Sequence, residues 1–411
     1  MKDEKFNWKL SLCISLFSFS SYVTQPLYSA FVPSLLAERL SSTTQVGLIL
    51  SFCNLLAMIL HPAVGAISDR TRCRFGRRRP YILSGAVFAG ISFMLIPWLN
   101  TFWQFVAVLI CYSLTLAYWK APIGAIQVDC VKPEYITRSN AVASCVLALS
   151  SVIAYLAGNR LTASGLDERD VFLFGGVAMI ITAGIGCMTV HEQDSRNMNF
   201  PKKHKKRSIL ETFLTIERKR RKDMLLMLLV ILSAFIANYG FEYFFVLFAE
   251  ERMMLTAGRA TLYLAVYMFS YLIASFCFSC MRGKVSAETL SRISLGTAAI
   301  VMSGFFILCC MKGVELRGIL WVICILYGVC WGTFNIYIYP LWLTFLKDGN
   351  SGNLMGVYFV CTGLAMAIMP ALYGVIRDVS GTYVSIFAFC SVMFLFAWGI
   401  LKIRRKVIWN N

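Results

Sequence analysis

Charged residues and histidine are scarce in this chain. Asp, Glu, Lys and Arg together make up 15% of the 411 residues, and there are three histidines. Clustered histidines or carboxylates, from which a metal centre or a membrane-embedded active site is built, are missing. The chain also lacks a Gly-x-x-x-x-Gly-Lys-Ser/Thr phosphate loop, which argues against ATP-driven pumping. We therefore predict a protein that is not an enzyme and holds no metal. The absence of an Asn-x-Ser/Thr sequon favours a bacterial source.

Apolar residues dominate instead. They account for 58% of the chain and its mean hydropathy is +0.68, against about 45–50% apolar residues in ordinary soluble domains. Long apolar runs recur, each near the roughly 20 residues that cross a bilayer as a helix. We predict an all-α membrane protein with twelve transmembrane helices in a lipid bilayer. The spans lie near residues 8–31, 45–66, 80–98, 102–127, 139–159, 170–190, 224–248, 258–280, 288–311, 317–345, 353–376 and 382–401.

The net charge of +18 follows membrane topology and does not indicate nucleic-acid binding. If the N-terminus is inside, 30 Lys and Arg residues fall in inner segments and 8 in outer loops, with Lys120 inside a span. This asymmetry predicts cytoplasmic N- and C-termini. We expect a multi-pass protein of the cell membrane, in a bacterium the cytoplasmic membrane.

The chain divides into two halves that resemble each other weakly. A basic stretch at residues 191–223 separates spans six and seven. Residues 118–160 and 331–378 share an order of Trp, Pro, acidic loop and Gly-rich span. Six plus six spans with internal similarity are typical of two-bundle transporters. We predict bundles at residues 1–190 and 224–411, joined by a cytoplasmic linker, and a monomeric protein.

Residues 65–80 carry the most specific motif, Gly-x-x-x-Asp-Arg-x-x-x-x-Phe-Gly-Arg-Arg-Arg-Pro. It resembles the loop between the second and third helices of major facilitator transporters, especially the sucrose transporter and glycoside–cation symporter branch. The resemblance implies a substrate cavity that opens alternately to each side, and a conformational latch at this loop; the alternative is a loop that serves topology alone. The latch would comprise Gly65, Asp69, Arg70, Gly76, Arg77 and Arg78, with Asp129 tying helix ends together. The alternative role for Asp129 is proton transfer.

The resemblance has departures that bear on the coupling ion. Sodium-dependent members carry acidic residues in span two and an aspartate in span four. This chain has Ala57 and His61 in span two and Lys120 in span four. Where sucrose-type members carry an arginine, it has Gly124. We therefore expect no cofactor and a proton as coupling ion, with sodium disfavoured.

Two ionisable residues lie deep within spans, where charge is costly and marks function. Lys120 is a candidate for substrate binding or coupling; the alternative is a lysine that snorkels to the cytoplasmic face, since it lies about 27 Å from the outer end of its span. Glu242 in span seven is the candidate proton carrier, and the alternative is a glutamate at the membrane edge.

Polar and aromatic residues in spans one, four, seven and ten complete the set, because the resemblance implies that these spans line the cavity. Amides and hydroxyls suit sugar hydroxyls, and aromatic faces suit a sugar ring, although such residues also serve helix packing. The predicted substrate-binding residues are Tyr22, Gln25, Tyr118, Trp119, Lys120, Asn238, Trp331 and Asn335.

The function predicted from these features is proton-coupled symport of a small polar solute, with a sugar or glycoside favoured. A proton-coupled exporter of drugs or organic anions is the alternative, since an importer and an exporter share every feature above. A non-transporting membrane sensor on the same fold is a more distant possibility.

Overall fold

The computed structural model describes residues 6–68, 71–131, 135–190, 218–280, 286–311, 313, 315–345 and 351–409. Within these ranges the regular structure consists of twelve α-helices and one 3-10 turn, so the prediction of an all-α, twelve-helix chain is confirmed. The helices are α1 (Trp8–Ala37), α2 (Thr43–Ser68), α3 (Arg79–Leu95), α4 (Phe102–Cys130), α5 (Ile136–Ala163), α6 (Glu168–Thr189), α7 (Arg218–Met253), α8 (Ala257–Cys280), α9 (Ala287–Cys310), α10 (Leu316–Leu343), α11 (Ser351–Ser380) and α12 (Ser385–Trp409).

Eleven of these helices, α2 to α12, are long and apolar enough to cross a membrane. The exception is α1, which carries seven serines along its 30 residues. Its packing explains this polarity, because 19 of its residues are buried, several of them serines. Ser20 Oγ, for example, donates to the backbone oxygen of Met179 in α6 at 2.6 Å. A helix enclosed by other helices needs small residues and internal hydrogen bonds more than it needs an apolar surface.

Contacts divide the chain into two compact units. The first comprises residues 1–39, 52–199 and 257–265, and the second comprises residues 40–51, 200–256 and 266–411. The start of α2 thus groups with the later half of the chain, and the start of α8 with the earlier half. The predicted bundles at residues 1–190 and 224–411 remain a prediction. Of the predicted linker, residues 191–217 lie outside the described residues.

In the first unit, α1 packs against α5 and α6, and α3 packs against α4 and α6. Small residues allow these close approaches. A Cβ added to Gly186 of α6 would lie 2.6 Å from the Phe17 ring of α1, and one on Gly176 would lie 2.7 Å from the backbone oxygen of Gly90 in α3. Aromatic rings fill the remaining core, where Phe93 lies 4.7 Å from Phe172 between ring centroids.

In the second unit, α12 packs against α7 and α9, α9 against α10, and α11 against α7. Phe387 of α12 forms edge-to-face contacts with Phe248 of α7 and Phe305 of α9, at centroid distances of 4.7 and 4.6 Å. Glycine brings α10 close to α8, since a Cβ on Gly328 would lie 2.3 Å from the backbone oxygen of Tyr267. The helix positions in this unit therefore depend on a residue without a side chain.

We predict that Gly328→Ala destabilises the protein. The added methyl group would collide with backbone, which cannot move as a side chain can, and overpacking of this kind costs about 1–3 kcal/mol. The measurement is the apparent Tm of the purified protein in detergent. The control is Gly304→Ala in α9, where an added Cβ meets nothing within 4 Å and alanine is the better helix former. An equal or higher Tm for Gly328→Ala than for Gly304→Ala would contradict the packing described.

Candidate functional site

Lys120 lies within α4 and its ammonium group contacts α1. Lys120 Nζ donates a hydrogen bond to Gln25 Oε1 at 2.7 Å and lies 4.7 Å from the centroid of the Tyr22 ring. Three of the predicted substrate-binding residues thus meet at one place in the first unit. His61 of α2 is close enough to interact electrostatically with Lys120. Since the ammonium binds mid-helix partners in α1, it does not extend towards the α4 terminus.

The residues just before Lys120 serve packing in this structure. Trp119 is fully buried, and its Cβ would lie 2.4 Å from a Cβ added to Gly85 of α3. The Tyr118 ring lies 5.4 Å from that of Tyr81, also in α3. Neither residue is among the described partners of Lys120. Both positions contribute to the α3–α4 contact, and their predicted role in substrate binding stays a prediction.

Glu242 is part of a polar cluster inside the second unit. Asn238 Nδ2 donates to Glu242 Oε1 at 2.8 Å, one turn along α7. The Asn238 Oδ1 atom accepts hydrogen bonds from the hydroxyls of Tyr267 in α8, at 2.8 Å, and Tyr327 in α10, at 2.9 Å. The Tyr267 hydroxyl also lies 3.4 Å from Glu242 Oε1. The two tyrosine rings stack, with centroids 5.2 Å apart.

Sequence reasoning identified Asn238 and Glu242 but missed Tyr267 and Tyr327. Both tyrosines come from α8 and α10, and only the fold brings them to α7. The signal that could have found them is the presence of isolated tyrosines in the middle of apolar spans, since a buried tyrosine hydroxyl requires a hydrogen-bond partner.

Trp331 of α10 lies in an aromatic cluster of the second unit. Its ring is 5.1 Å from Phe235 of α7, and Phe235 is 6.3 Å from Tyr358 of α11, both edge to face. Asn335 Nδ2 donates to the backbone oxygen of Trp331 at 3.1 Å, within its own helix. Trp331 is nearly buried, whereas Asn335 is half-buried. The cluster offers aromatic faces and one amide from adjacent turns of α10.

The arginine loop joins helix ends in the first unit. Asp129, near the end of α4, accepts from Arg77 at 2.5 and 3.2 Å and from Arg78 at 3.1 Å. Arg78 is buried and also donates to Ser68 Oγ at the end of α2, at 2.6 Å. Gly76 takes a positive φ of 92°, which turns the chain into α3. These charge-assisted bonds connect the end of α2, the start of α3 and the end of α4.

Of the other predicted latch residues, the structure describes only Gly65. Asp69 and Arg70 lie outside the described residues. Gly65, in the last turn of α2, accepts a hydrogen bond from Ser68 Oγ through its backbone oxygen at 3.0 Å. Arg79, which the prediction did not include, donates to the backbone oxygen of Cys187 near the end of α6. The loop thereby reaches a fourth helix end.

A second charged contact, not predicted from the sequence, lies in the second unit. Asp378, in the last turn of α11, caps the start of α2. Its carboxylate accepts from the backbone amides of Thr43 and Thr44, both at 2.9 Å, and from the hydroxyls of Ser42 and Thr44, at 2.5 and 2.7 Å. A carboxylate at a helix N-terminus accepts hydrogen bonds from backbone amides that have no partner within the helix, and its negative charge is attracted to the positive end of the helix dipole. The partners lie more than 330 residues apart in the chain, which no local pattern could reveal.

Close glycine contacts accompany this cap. A Cβ on Gly47 of α2 would lie 2.0 Å from the backbone oxygen of Pro370, and one on Gly374 of α11 would lie 2.6 Å from that of Thr43. The start of α2 and the end of α11 therefore touch backbone to backbone. Asp378 and the two glycines together fix this contact.

The comparisons with known proteins agree with this architecture. The family profile of the Major Facilitator Superfamily matches residues 10–370, and the chain belongs to that family. It is a multi-pass membrane protein and a secondary transporter.

Three solved structures share the fold. One comes from work on substrate recognition in proton-dependent oligopeptide transporters. It gives a TM-score of 0.76 at 14% identity, and the match covers 98% of this chain and 100% of that one. A D-xylose–proton symporter gives a TM-score of 0.75 at 14% identity, covering 96% and 97%. A bacterial homologue of the human lysosomal transporter Spinster, in an inward-facing conformation, gives 0.73 at 14% identity, covering 97% and 98%. At these identities the likeness shows the fold alone.

Among the described residues, no group of three or more His, Cys, Asp and Glu side chains is placed to hold a metal ion. The clusters around Lys120 and Glu242 offer hydrogen bonding, one ammonium group and one carboxyl group. Such groups can bind a solute and exchange a proton.

We predict that Asp378→Asn destabilises the protein by about 0.3–1 kcal/mol, the usual contribution of a negative charge at a helix N-terminus. The asparagine keeps the size of the side chain but loses the negative charge that the four donors contact. The apparent Tm in detergent measures the effect. Asp170→Asn is the control, because Asp170 caps α6 only locally, accepting from the Asp167 amide at 3.1 Å on the surface. A larger Tm loss for the Asp170 variant would show that the long-range cap adds little.

Proposed function

We propose that this chain is a proton-coupled secondary transporter of a small polar solute, with a sugar or glycoside favoured, and that Glu242 carries the proton. The observation that carries the proposal is the surroundings of Glu242. It lies eleven residues before the end of α7, about 16 Å along the helix. Among the described residues it forms no ion pair, and its hydrogen-bond partners are neutral.

The cluster around Glu242 can accommodate both protonation states. An ionised carboxylate accepts from Asn238 Nδ2 and the Tyr267 hydroxyl, as in the structure. A protonated carboxyl needs an acceptor, and an amide or a tyrosine hydroxyl can provide one by reorienting. Arg or Lys in place of Asn238 would instead hold Glu242 ionised. A neutral, adaptable shell is what a group that gains and loses a proton requires.

The sugar part of the proposal rests on the aromatic and amide groups. Trp331, Phe235 and Tyr358 form an aromatic cluster, and aromatic rings of this kind suit the C–H surface of a sugar. Asn335, one turn along α10 from Trp331, supplies an amide for hydroxyl groups. The motif at residues 65–80 resembles the sucrose transporter and glycoside–cation symporter branch, and one protein of the same fold is a D-xylose–proton symporter.

The conformational part of the proposal concerns the arginine loop. We assign Arg77, Arg78 and Asp129 to a latch that holds the ends of α2, α3 and α4 together in one conformation. Its ion pairs are partly solvent-exposed, with 20% of the Asp129 side chain accessible. Water can therefore replace these bonds when the helix ends separate, which suits a contact that must open and close. In the proposed orientation this loop and both termini are cytoplasmic, in a monomeric protein of a bacterial cytoplasmic membrane.

Export of organic anions is the second candidate function, and Lys120 favours it. Its ammonium group is hydrogen bonded to a neutral amide and, among the described residues, forms no ion pair. An anionic solute would supply the missing charge in either direction of transport.

We predict that Glu242→Gln abolishes proton movement but retains solute exchange. Glutamine keeps the hydrogen bonds to its neighbours and cannot titrate, so solute can still cross without a proton. Purified protein in liposomes is tested with neutral glycosides, sugar acids and cationic drugs. A pH-sensitive dye reports protons, and counterflow of labelled solute reports exchange.

The matched control is Glu315→Gln, which removes an exposed carboxylate at the start of α10 and should leave both readouts unchanged. Proton movement that persists in Glu242→Gln would exclude this residue as the carrier. Responses to drugs alone would move the protein to the exporter class, and no solute-driven proton flux with any compound would refute proton coupling.

A further inference from the structure

Lys120 holds its charge in the middle of the helical bundle. It lies ten residues before the end of α4, about 15 Å along the helix. Its partner Gln25 lies twelve residues before the end of α1. A lysine that snorkels would extend towards the helix end, whereas Nζ here is fixed by Gln25 Oε1 at 2.7 Å and by the Tyr22 ring at 4.7 Å.

The contacts of Lys120 stabilise a cation without neutralising it. The amide oxygen of Gln25 and the face of Tyr22 each carry partial negative charge. His61, an ionisable side chain that interacts with Lys120, is itself a base. Among the described residues the ion pairs involve Arg77, Arg78 and other arginines, not Lys120. A charged lysine inside a membrane protein usually meets a counter-ion, and no carboxylate of the described residues forms an ion pair with Lys120.

We propose that the transported solute supplies this counter-ion: it carries one carboxylate, which binds the Lys120 ammonium beside Gln25 and Tyr22. This inference rests on the proposed function, since it names the class of solute. Three hydrogens are available on an ammonium group, and Gln25 engages one of them. The other two can form charge-assisted bonds to a carboxylate. A sugar acid is a small polar solute that carries such a carboxylate.

The charge count separates a carboxylate from a phosphate. A phosphate monoester carries about two negative charges at neutral pH, and sites for it use several cationic or amide donors, often arginine forks. Lys120 provides one point charge, and the described partners add no arginine. One positive charge matches one carboxylate.

The proposal determines the net charge that crosses the membrane with each solute molecule. A neutral sugar taken up with one proton carries a net positive charge across the membrane. A monoanion taken up with the proton on Glu242 carries none. Sugar-acid transport should therefore not respond to membrane potential, while remaining dependent on the pH gradient.

The test compares an acid with its neutral isostere. Glucuronate and glucuronamide differ in one charged group, and glucose 6-phosphate serves as the phosphate probe. Affinity is measured by calorimetry on the full chain in detergent. We expect glucuronate to bind more tightly than either of the other two. Lys120→Gln should weaken glucuronate binding about 10- to 100-fold, the effect of losing a charge-assisted bond, and leave glucuronamide within about threefold.

Two further variants keep the test decisive. Lys402→Gln is the matched control. Lys402 Nζ also lies over an aromatic ring, 5.1 Å from the centroid of Trp398, but Lys402 is exposed near the end of α12. The Lys402→Gln variant should bind all three compounds with unchanged affinity. Gln25→Glu places a carboxylate beside Lys120 and should abolish the preference for glucuronate even if Lys120→Gln fails to fold. Equal binding of acid and amide, no binding of the acid, tighter binding of the phosphate, or an acid preference that survives Gln25→Glu would each overturn the proposal.

Transport in liposomes distinguishes this inference from the proposed function. With the potential clamped by potassium and valinomycin, glucuronate should drive proton uptake at a rate independent of potential. Acid-selective binding without proton flux would refute proton coupling and leave the carboxylate site standing. Proton flux driven equally by glucuronate and glucuronamide would keep the coupling and overturn the carboxylate site.

Discussion

The cost of placing a charge in hydrocarbon governs how this protein uses its few ionisable residues. Ion pairs in the described part of the chain lie near helix ends. Asp129 pairs with Arg77 and Arg78 where α4 ends, and Arg404 of α12 pairs with Asp223 in the first turns of α7, at 2.5 Å. Near the ends, water and headgroups share the cost of the charge. Lys120 and Glu242 are different, because they lie more than two turns inside their helices and bind neutral partners.

In the proposed mechanism, the helix ends carry the conformational contacts and the helix interiors carry the chemistry. The arginine loop of the first unit and the Asp378 cap of the second unit both use a carboxylate against helix termini. Such contacts are strong enough to stabilise one arrangement, yet they are exposed enough to be replaced by water. The apolar packing within each unit, by contrast, leaves no room for adjustment at positions such as Gly328 and Gly176. A transporter needs this combination of tightly packed helices and replaceable contacts.

Much of this organisation was predictable from the sequence because apolar length is a direct signal of a transmembrane helix. The twelve helices followed from it, and α1 showed the limit: its serines face other helices, so its hydropathy falls below that of a lipid-facing span. Lys120 and Glu242 stood out because charge is rare inside spans. Their partners did not, since Tyr267 and Tyr327 look like ordinary aromatic residues until α8 and α10 meet α7. The cap that Asp378 forms could not be predicted for the same reason, since its hydrogen-bond donors belong to α2.

The two charged groups inside the helices are held in the same way, each by a neutral amide, and this connects them to the proposed mechanism. Gln25 holds Lys120 and Asn238 holds Glu242, each through one amide hydrogen bond, at 2.7 and 2.8 Å. A buried salt bridge would bind each group so strongly that breaking it leaves an uncompensated charge. An amide orients the charged group but does not neutralise it. The ammonium can then gain a stronger partner when an anion arrives, and the carboxylate can be neutralised by a proton. Neutral amide partners thus leave both charges available to mobile species, which is what coupling a solute to a proton demands.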